Sequence, residues 1–364
     1  MRCTICFRQY DAPARICKAD GSSLSARPAI ELLTERYSKE HKEEHGKSYG
    51  QYVVRGYIGR GGMARVFLAE DPATRTPIAL KVLDKVSSRA KNAAERFFQE
   101  ATASATVLHP NIVKVFDAGR HADSTPYLAL EYLFGESMGE LLRRVTTMND
   151  PRHALLLFHH TAMGLEAAHR AGVIHRDIKP DNIFLVGAVG APHSVKVLDF
   201  GLAKMLEGKP LTALGIAVGT VEYMAPEQVL TEPPDARTDV YGLGVVMYRA
   251  FTGFLPFDDR DDAVLLGQHL IVPPQRPASR APNLDPRICA VIEKCMRKNP
   301  ANRYASMQAL SDDMERIIGN RPGELVASSG LARDPDVYEP HPISGRPAAR
   351  FFYKKLGLEA PAWT

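Results

Sequence analysis

The run HRDIKPDN at residues 175–182 carries the strongest indication of chemistry in this sequence, because it places Asp177, Lys179 and Asn182 close together. Seventeen residues after Asn182 comes Asp199, at the start of a DFG triplet, and an APE triplet follows at 225–227. Carboxylate and amide oxygens are hard ligands of the kind that Mg²⁺ prefers. The run and the triplets therefore indicate a charged site at which chemistry can take place.

A glycine-rich segment precedes this run and consists of Gly59, Arg60, Gly61, Gly62, Met63, Ala64, Arg65 and Val66. Glycine lets the backbone approach a phosphate closely, and free N–H groups can then point at that phosphate. On its own, the segment is at least as consistent with a glycine-rich hairpin that binds nothing.

Lys81 stands on an otherwise apolar predicted strand, Ile78 to Val82. A lysine that faces the interior is costly without a partner. It either points outward at a strand edge, or it pairs with a carboxylate and a phosphate. Glu100, on the helix that follows, is the candidate carboxylate.

The elements that would position these residues change in type along the chain. Strand patterns cover 52–69 (strand, turn, strand), 78–82, 113–117 and 127–132, and helix patterns cover 93–107, 154–171, 239–252, 286–298 and 307–318. A strand-rich first part followed by a helix-rich second part predicts an α+β fold of two lobes with a cleft between them.

Together, the glycine loop, the strand lysine, HRDxKxxN, DFG and APE resemble the motif set of the protein-kinase superfamily. Over residues 51–318 the sequence looks like the bacterial, eukaryotic-like (Hanks-type) serine/threonine kinases. The resemblance implies a bilobal fold with a β-rich N-lobe and an α-rich C-lobe. It also implies transfer of the ATP γ-phosphate to Ser/Thr hydroxyls of the protein itself and of cytosolic proteins, with ATP and Mg²⁺ as cofactors.

The resemblance assigns roles to the charged residues. Lys81, held by Glu100, contacts the α- and β-phosphates, and Asp177 accepts or orients the proton of the substrate hydroxyl. Lys179 contacts the γ-phosphate. Three further residues complete the set: Asn182 and Asp199 as Mg²⁺ ligands, and Thr220 as the threonine that bonds to the Asp177 and Lys179 pair.

The adenine ring is assigned, by the same resemblance, to apolar side chains and to the backbone of a hinge behind a gatekeeper-like residue. The apolar contacts are Val66, Ala79 and Phe184, the hinge residues are Glu131 and Leu133, and the gatekeeper-like residue is Leu130.

Other matching positions have structural roles in the family. Glu227 is expected to pair with Arg303, and Asp239 is expected to cap the backbone of the catalytic loop. His175 is expected to be a packed core histidine rather than an acid or base.

Two departures from the family pattern leave an alternative open. Ala64 replaces the third glycine of the loop, and Ser104 stands where the family places an apolar residue. An alternative function is therefore a nucleotide-binding pseudokinase scaffold that docks partners through its N-terminus.

The resemblance also suggests regulation by autophosphorylation of the activation loop. Thr212 is the candidate site, and the other interpretation is that it is an ordinary loop threonine.

The N-terminal segment 1–24 contains Cys3, Cys6 and Cys17, followed by Asp20, and this spacing resembles a short zinc ribbon. A degenerate ribbon, free thiols or a redox motif fit equally well. Residues 25–50 are interpreted as a partly helical linker, 51–318 as the kinase domain, and 319–364 as a flexible tail in which aromatic residues could dock.

Composition limits the other functions. The 364 residues include 46 Lys and Arg against 42 Asp and Glu, a net charge of +4 that argues against a nucleic-acid binder.

The sequence shows neither a signal-peptide pattern nor the ~20 apolar residues of a membrane span, so a cytoplasmic protein without disulfides is expected. Cys289 and Cys295 are expected to be buried, and a homodimer stays open.

Overall fold

The structure is a computed structural model that describes residues 2–3, 24–25, 29–37, 40–61, 63–84, 93–148, 150–186, 194–200, 221–319 and 347–358. Within these ranges, side chains at 2–3, 24–25, 96, 100, 103 and 347–350 are not described. The chain divides into two compact units. The first comprises Met1–Glu136 with Leu185–Lys196, and the second comprises Ser137–Phe184 with Val197–Thr364.

Strands β1 Arg2–Cys3 and β2 Leu24–Ser25 form a separate antiparallel pair. Most of the first unit is a sheet of six strands, β3 Ser48–Tyr49, β4 Tyr52–Arg60, β5 Ala64–Asp71, β6 Thr76–Leu83, β7 Val115–Arg120 and β8 Pro126–Glu131. These strands are antiparallel and lie in the order β3-β4-β5-β6-β8-β7. Apolar residues alternate with others along these strands, so one face can be buried. That face forms a core around Phe67, Leu80 and Tyr127.

The opposite face of the sheet is covered by two helices. Helix α2, Ala93–Thr106, packs through Phe97 and Ala101 near Leu128 of β8. Helix α1, Ala29–Tyr37, lies in the segment predicted as a linker, yet it belongs to the folded core because its Leu33 is fully buried. Apolar residues on one side of a helix require a surface to cover, and the sheet supplies it.

The second unit is helical. Its described helices are α3 Met138–Arg144, α4 Pro151–Arg170, α5 Pro226–Val229, α6 Ala236–Thr252, α7 Asp262–Ile271, α8 Pro277–Arg280, α9 Pro286–Cys295, α10 Met307–Ile318 and α11 Pro347–Lys355. Four of them, α4, α6, α9 and α10, agree with the predicted helices to within three residues, and the other five were not predicted.

A second sheet of the described chain contains three short strands, β9 Gly135–Ser137, β10 Ile183–Val186 and β11 Val195–Val197, in the order β11-β10-β9.

Helix α6 is buried along almost its whole length. Gly244 makes this possible, since a Cβ at this position would lie 2.5 Å from the Cβ of Cys295 on α9. Cys289 and Cys295 are both buried, as the sequence predicts. Asp235 caps the start of α6 by accepting the backbone N–H of Arg237.

The C-terminal segment, predicted as a flexible tail, contains α11, which packs on α7 in the same unit. Phe352 is fully buried, and a Cβ at Gly267 would lie 3.2 Å from Leu356. Lys355 pairs with Asp261 at 3.0 Å. Residues 347–358 are therefore folded and not a flexible tail. The docking of aromatic residues that the sequence left open does occur here, since Phe352 and Tyr353 are buried.

Among the described helices, none has both the length and the apolar character required to cross a membrane.

Candidate active site

The second unit brings together three of the residues predicted to be catalytic. The Asp177 carboxylate lies 3.2 Å from the ammonium of Lys179. The amide Nδ2 of Asn182 donates to the backbone carbonyl of Asp177 at 2.8 Å and to its Oδ2 at 3.2 Å. A cation and an amide donor thus hold one carboxylate in a fixed orientation, as a group that acts on a proton requires.

His175 connects this loop to the segment that carries Asp199. Its Nε2 lies 2.7 Å from the carbonyl of Leu198, which can only accept, so the ring carries its proton on Nε2. The other nitrogen, Nδ1, then accepts the backbone N–H of Asp177. The ring is fully buried and packs against Phe200 at 4.8 Å. The prediction of a packed histidine is confirmed.

One hydrogen bond and two unusual φ angles define the backbone around Asn182 and Asp199. The N–H of Leu198 donates to the carbonyl of Asn182 at 2.9 Å, so the residue before Asp199 is bonded to the second predicted Mg²⁺ ligand. Asp199 has φ of 44° and Arg176 has φ of 66°, both in the left-handed region that non-glycine residues seldom occupy. Such strained backbone is typical of functional sites.

Asp239 on α6 caps the catalytic loop, as predicted. Its two oxygens accept the backbone N–H groups of His175 and Arg176, each at 2.8 Å, and one also bonds to His169 at 2.7 Å. Burial by itself raises the pKa of Asp239, but the hydrogen bond and charge of His169 outweigh burial and lower it. The carboxylate therefore stays ionised and holds the loop.

The predicted pair of Glu227 and Arg303 is also confirmed. Both side chains are buried, and the guanidinium donates to both carboxylate oxygens, at 2.8 and 2.9 Å.

In the first unit, the strand register gathers several residues predicted to bind the nucleotide. Val66 lies opposite Lys81, and Ala79 lies opposite Leu130 on the next strand. Directly paired residues and alternate residues of a strand share a face, so all four lie on one face of the sheet. Helix α2, which carries Glu100, packs on this same face through the cluster that includes Leu128.

The glycine loop closes as a turn between β4 and β5. Gly59 pairs with Val66, Arg60 pairs with Arg65, and the N–H of Gly61 donates to the carbonyl of Ala64 at 2.8 Å. Met63 is half-buried beside the α2 cluster.

The residues predicted to form the hinge, Glu131 and Leu133, lie at the end of β8 and just after it. The Glu131 carboxylate accepts the N–H of Lys114 at 2.7 Å and pairs with Lys196 at 2.5 Å. Leu133 and Phe184 are half-buried. Several residues with predicted roles lie outside the described part of the chain: Gly62, Thr212, Thr220, Cys6, Cys17 and Asp20. For Glu100 and Cys3 the backbone is described but the side chain is not.

Sequence reasoning missed the contacts that hold strand β11. Lys196 reaches Glu131, and buried Asn111 donates to the carbonyl of Val195 at 2.9 Å. A lysine between two valines just before Asp199 was an available signal. Its partners, however, lie more than 60 residues away in the chain.

A β-rich unit with a glycine turn and a strand lysine, and a helical unit that orients Asp177, are the features of the protein kinases as a class. A family model described as protein kinase domain matches residues 52–314, and the chain belongs to this family. The predicted α+β fold, with a β-rich and an α-rich unit, is confirmed.

Similar proteins include Serine/threonine-protein kinase Pkn1 of Myxococcus xanthus, 36% identical over 330 residues that cover 87% of this chain and 45% of that protein. Serine/threonine-protein kinase PknA of Mycobacterium tuberculosis is 37% identical over 278 residues, which cover 75% of this chain and 63% of that protein. The chain spans about half the length of the first curated relatives it matches.

Among solved structures, the kinase domain of Mycobacterium tuberculosis PknI is similar, with a TM-score of 0.59 at 25% identity. The match covers 74% of this chain and 97% of that domain.

Proposed function

We propose that this protein is a serine/threonine kinase that phosphorylates itself and other proteins. The observation that carries the proposal is the carboxylate of Asp177, oriented by Lys179 and Asn182 in a loop that His175 and Asp239 hold in place. Asp177 accepts, or orients, the proton of the substrate hydroxyl. The relatives named serine/threonine-protein kinase support the same reaction and the same class of acceptor.

The donor set fits MgATP. Asn182 and Asp199 offer hard oxygens on segments joined by the Leu198 hydrogen bond, and Lys81 and Lys179 offer cations for phosphates. Bound MgATP supplies the γ-phosphoryl group and the cations that neutralise its charge. In this proposal Glu100 holds Lys81, Thr220 bonds to the Asp177 pair, and the loop at 59–66 covers the phosphates. The adenine ring lies by Val66, Ala79, Phe184 and Leu130 and bonds to the backbone of Glu131 and Leu133.

The test is transfer of labelled phosphate from MgATP to the chain and to a basic protein substrate. Asp177→Asn should lower the rate by about 10²-fold or more, because it removes the proton acceptor. Asp181→Asn, an exposed change in the same loop, is the matched control and should stay within about twofold. Nucleotide binding without any turnover in the unmutated chain would favour the alternative, a pseudokinase scaffold.

We propose that autophosphorylation at Thr212 regulates the enzyme. Arg176 supports this, since its Nε is buried and has no hydrogen-bond partner among the described residues. A phosphate on the activation loop is a suitable partner for a guanidinium whose Nε is left without an acceptor. Phosphopeptide mapping of active protein should find Thr212 modified, and its absence from the map would rule the site out.

We propose that the N-terminal segment binds zinc through Cys3, Cys6, Cys17 and Asp20 and docks a protein partner. The pairing of β1 Arg2–Cys3 with β2 Leu24–Ser25 supports a closed segment. Purified chain should contain one zinc per molecule by elemental analysis, and Cys6→Ser should lose it. Zinc-free protein with unchanged thiols would contradict the assignment.

We further propose that the protein is cytoplasmic and that it forms a homodimer. Light scattering of the purified chain tests the homodimer.

A further inference from the structure

Helix α1 packs on the face of the first unit's sheet that contains the predicted adenine contacts. Ile30 and Leu33 are buried against Leu68 of β5. Leu68 lies two residues after Val66, so both side chains point to the same face of the sheet. The helix is therefore packed on the nucleotide-binding face and not on the opposite face, which forms the core around Phe67 and Leu80.

The last residue of α1 contacts the hinge. The Tyr132 hydroxyl donates to the Tyr37 hydroxyl at 3.3 Å, and Phe134 packs edge-on against Tyr132 at 4.9 Å. All three belong to the apolar cluster of α1. Burial first, and this hydrogen bond second, raise the pKa of Tyr132, so its hydroxyl keeps the proton that it donates. Tyr132 lies between Glu131 and Leu133, the two residues whose backbones are proposed to bind adenine.

The strand that enters the glycine loop contacts α1 as well. Ile58, directly before Gly59, packs in the α1 cluster. At Gly56 a Cβ would lie 2.8 Å from both the Cβ and the carbonyl oxygen of Tyr37. Real Cβ atoms are not found at such distances, so the absence of a side chain at Gly56 permits the helix to approach this strand.

The first turn of α1 is attached by charge. Arg75, in the turn between β5 and β6, lies 3.6 Å from Glu31 and 2.7 Å from Glu70. Glu70 is buried and also pairs with Arg55 at 2.8 Å. The helix is thus held to the sheet at both ends, by Glu31 in its first turn and by Tyr37 at its end.

We propose that α1 is a positioning element for the nucleotide, with Tyr37 as its central residue. Tyr37 supports the hinge through Tyr132 and the glycine-loop strand through Gly56, and so sets the distance between two walls of the adenine site. The inference rests on the proposed function, since it concerns the affinity of that site for ATP.

The experiment measures the Kd and KM for MgATP, kcat, and the melting temperature of the full chain. Adenine contacts are the same before and during phosphoryl transfer, so their loss should raise KM and leave kcat unchanged. Tyr37→Ala should raise the Kd and KM for MgATP about fivefold, because it removes both the hydrogen bond from Tyr132 and the packing of the ring. Gly56→Ala should do the same from the sheet side. Thr34→Ala removes a hydrogen bond to the carbonyl of Ile30 within the same helix, so it is the control and should change neither.

Tyr37→Phe and Tyr132→Phe remove the same hydrogen bond with little loss of packing, and they serve if Tyr37→Ala does not fold. Each should raise the Kd for MgATP about threefold, and the double variant should show no further increase. Equal Kd values for the folded Tyr37 and Gly56 variants and the unmutated chain would overturn the inference and leave α1 a merely stabilising helix. If the unmutated chain does not bind MgATP, the proposed function itself fails.

Discussion

Replacement of Arg303 should cost the second unit more stability than any surface change, because every donor of its guanidinium is in use. Two N–H groups bond to the Glu227 carboxylate, and the others reach the carbonyls of Arg237, Lys298 and Arg297, at 2.6 to 2.9 Å. Five donors thus meet five contacts, which lie on α5, at the start of α6 and in the segment after α9.

The expected cost follows from what Arg303→Met leaves behind. Removing one partner of a buried ion pair costs about 3–5 kcal/mol, because the remaining carboxylate is buried without compensation. Three backbone carbonyls also lose a donor, which places the expectation at the upper end of that range. The double variant Arg303→Met with Glu227→Gln should be more stable than Arg303→Met alone, because it buries no charge.

The pH dependence has a definite sign. Burial alone raises the pKa of Glu227, but the hydrogen bonds and charge of Arg303 lower it below its ordinary value. The pair therefore stabilises the native protein at neutral pH, and this contribution is lost as the pH falls through the lowered pKa. In Arg303→Met, burial without the cation raises the pKa of Glu227 instead. The loss of stability caused by Arg303→Met should therefore become smaller as the pH falls from 7. Below the raised pKa of Glu227, this loss should decrease by up to about 1.4 kcal/mol for each pH unit.

Hydrogen exchange of the amides in α6, combined with urea unfolding, measures this local free energy. Arg276→Met is the matched control, because Arg276 is exposed in its pair with Glu293 and its replacement should cost at most about 1 kcal/mol. A loss below about 1 kcal/mol for Arg303→Met, or a penalty that grows as the pH falls, would refute the reasoning.

Three further predictions concern the same unit. Gly267→Val places methyl groups against α11, so limited proteolysis should cleave residues 347–358 faster, as it should in Phe352→Ala; unchanged cleavage would contradict the packing. Asp239→Asn leaves one acceptor for two loop N–H groups, and phosphate transfer should fall about tenfold or more in protein that is still folded at the assay temperature. Burial raises the pKa of the thiols of Cys289 (to about 11) and Cys295, so with the three N-terminal cysteines replaced by serine, no thiol should react at pH 8 before urea is added.

Much of the fold could be predicted from local pattern. The helix expected at 93–107 is Ala93–Thr106, and the one expected at 307–318 is Met307–Ile318. Both have apolar residues on one side and polar residues on the other, and both need only a surface to pack on. The strand expected at 113–117 runs instead from Val115 to Arg120, because pairing with β8 decides where a strand begins and ends.

The individual contacts of the site were partly predictable. Asp177, Lys179 and Asn182 lie within six residues of one another, so any folding of that loop keeps them close. Asp239 and Arg303 were assigned correctly because the family resemblance states their partners. Lys196 was not assigned, since nothing local indicates that its ammonium reaches Glu131, 65 residues away.

The sequence by itself determined the motif set, the two kinds of unit, and the side chains proposed to do the chemistry, because these depend on residue type and short spacing. Only the tertiary structure decided that α1 packs beside the hinge and that α11 packs on α7. A short amphipathic helix looks the same in a linker, a tail or a core. Where such a helix packs depends on surfaces formed by other parts of the chain. At Gly56 and Gly267 these surfaces can accept a neighbouring helix only because the two residues carry no side chain.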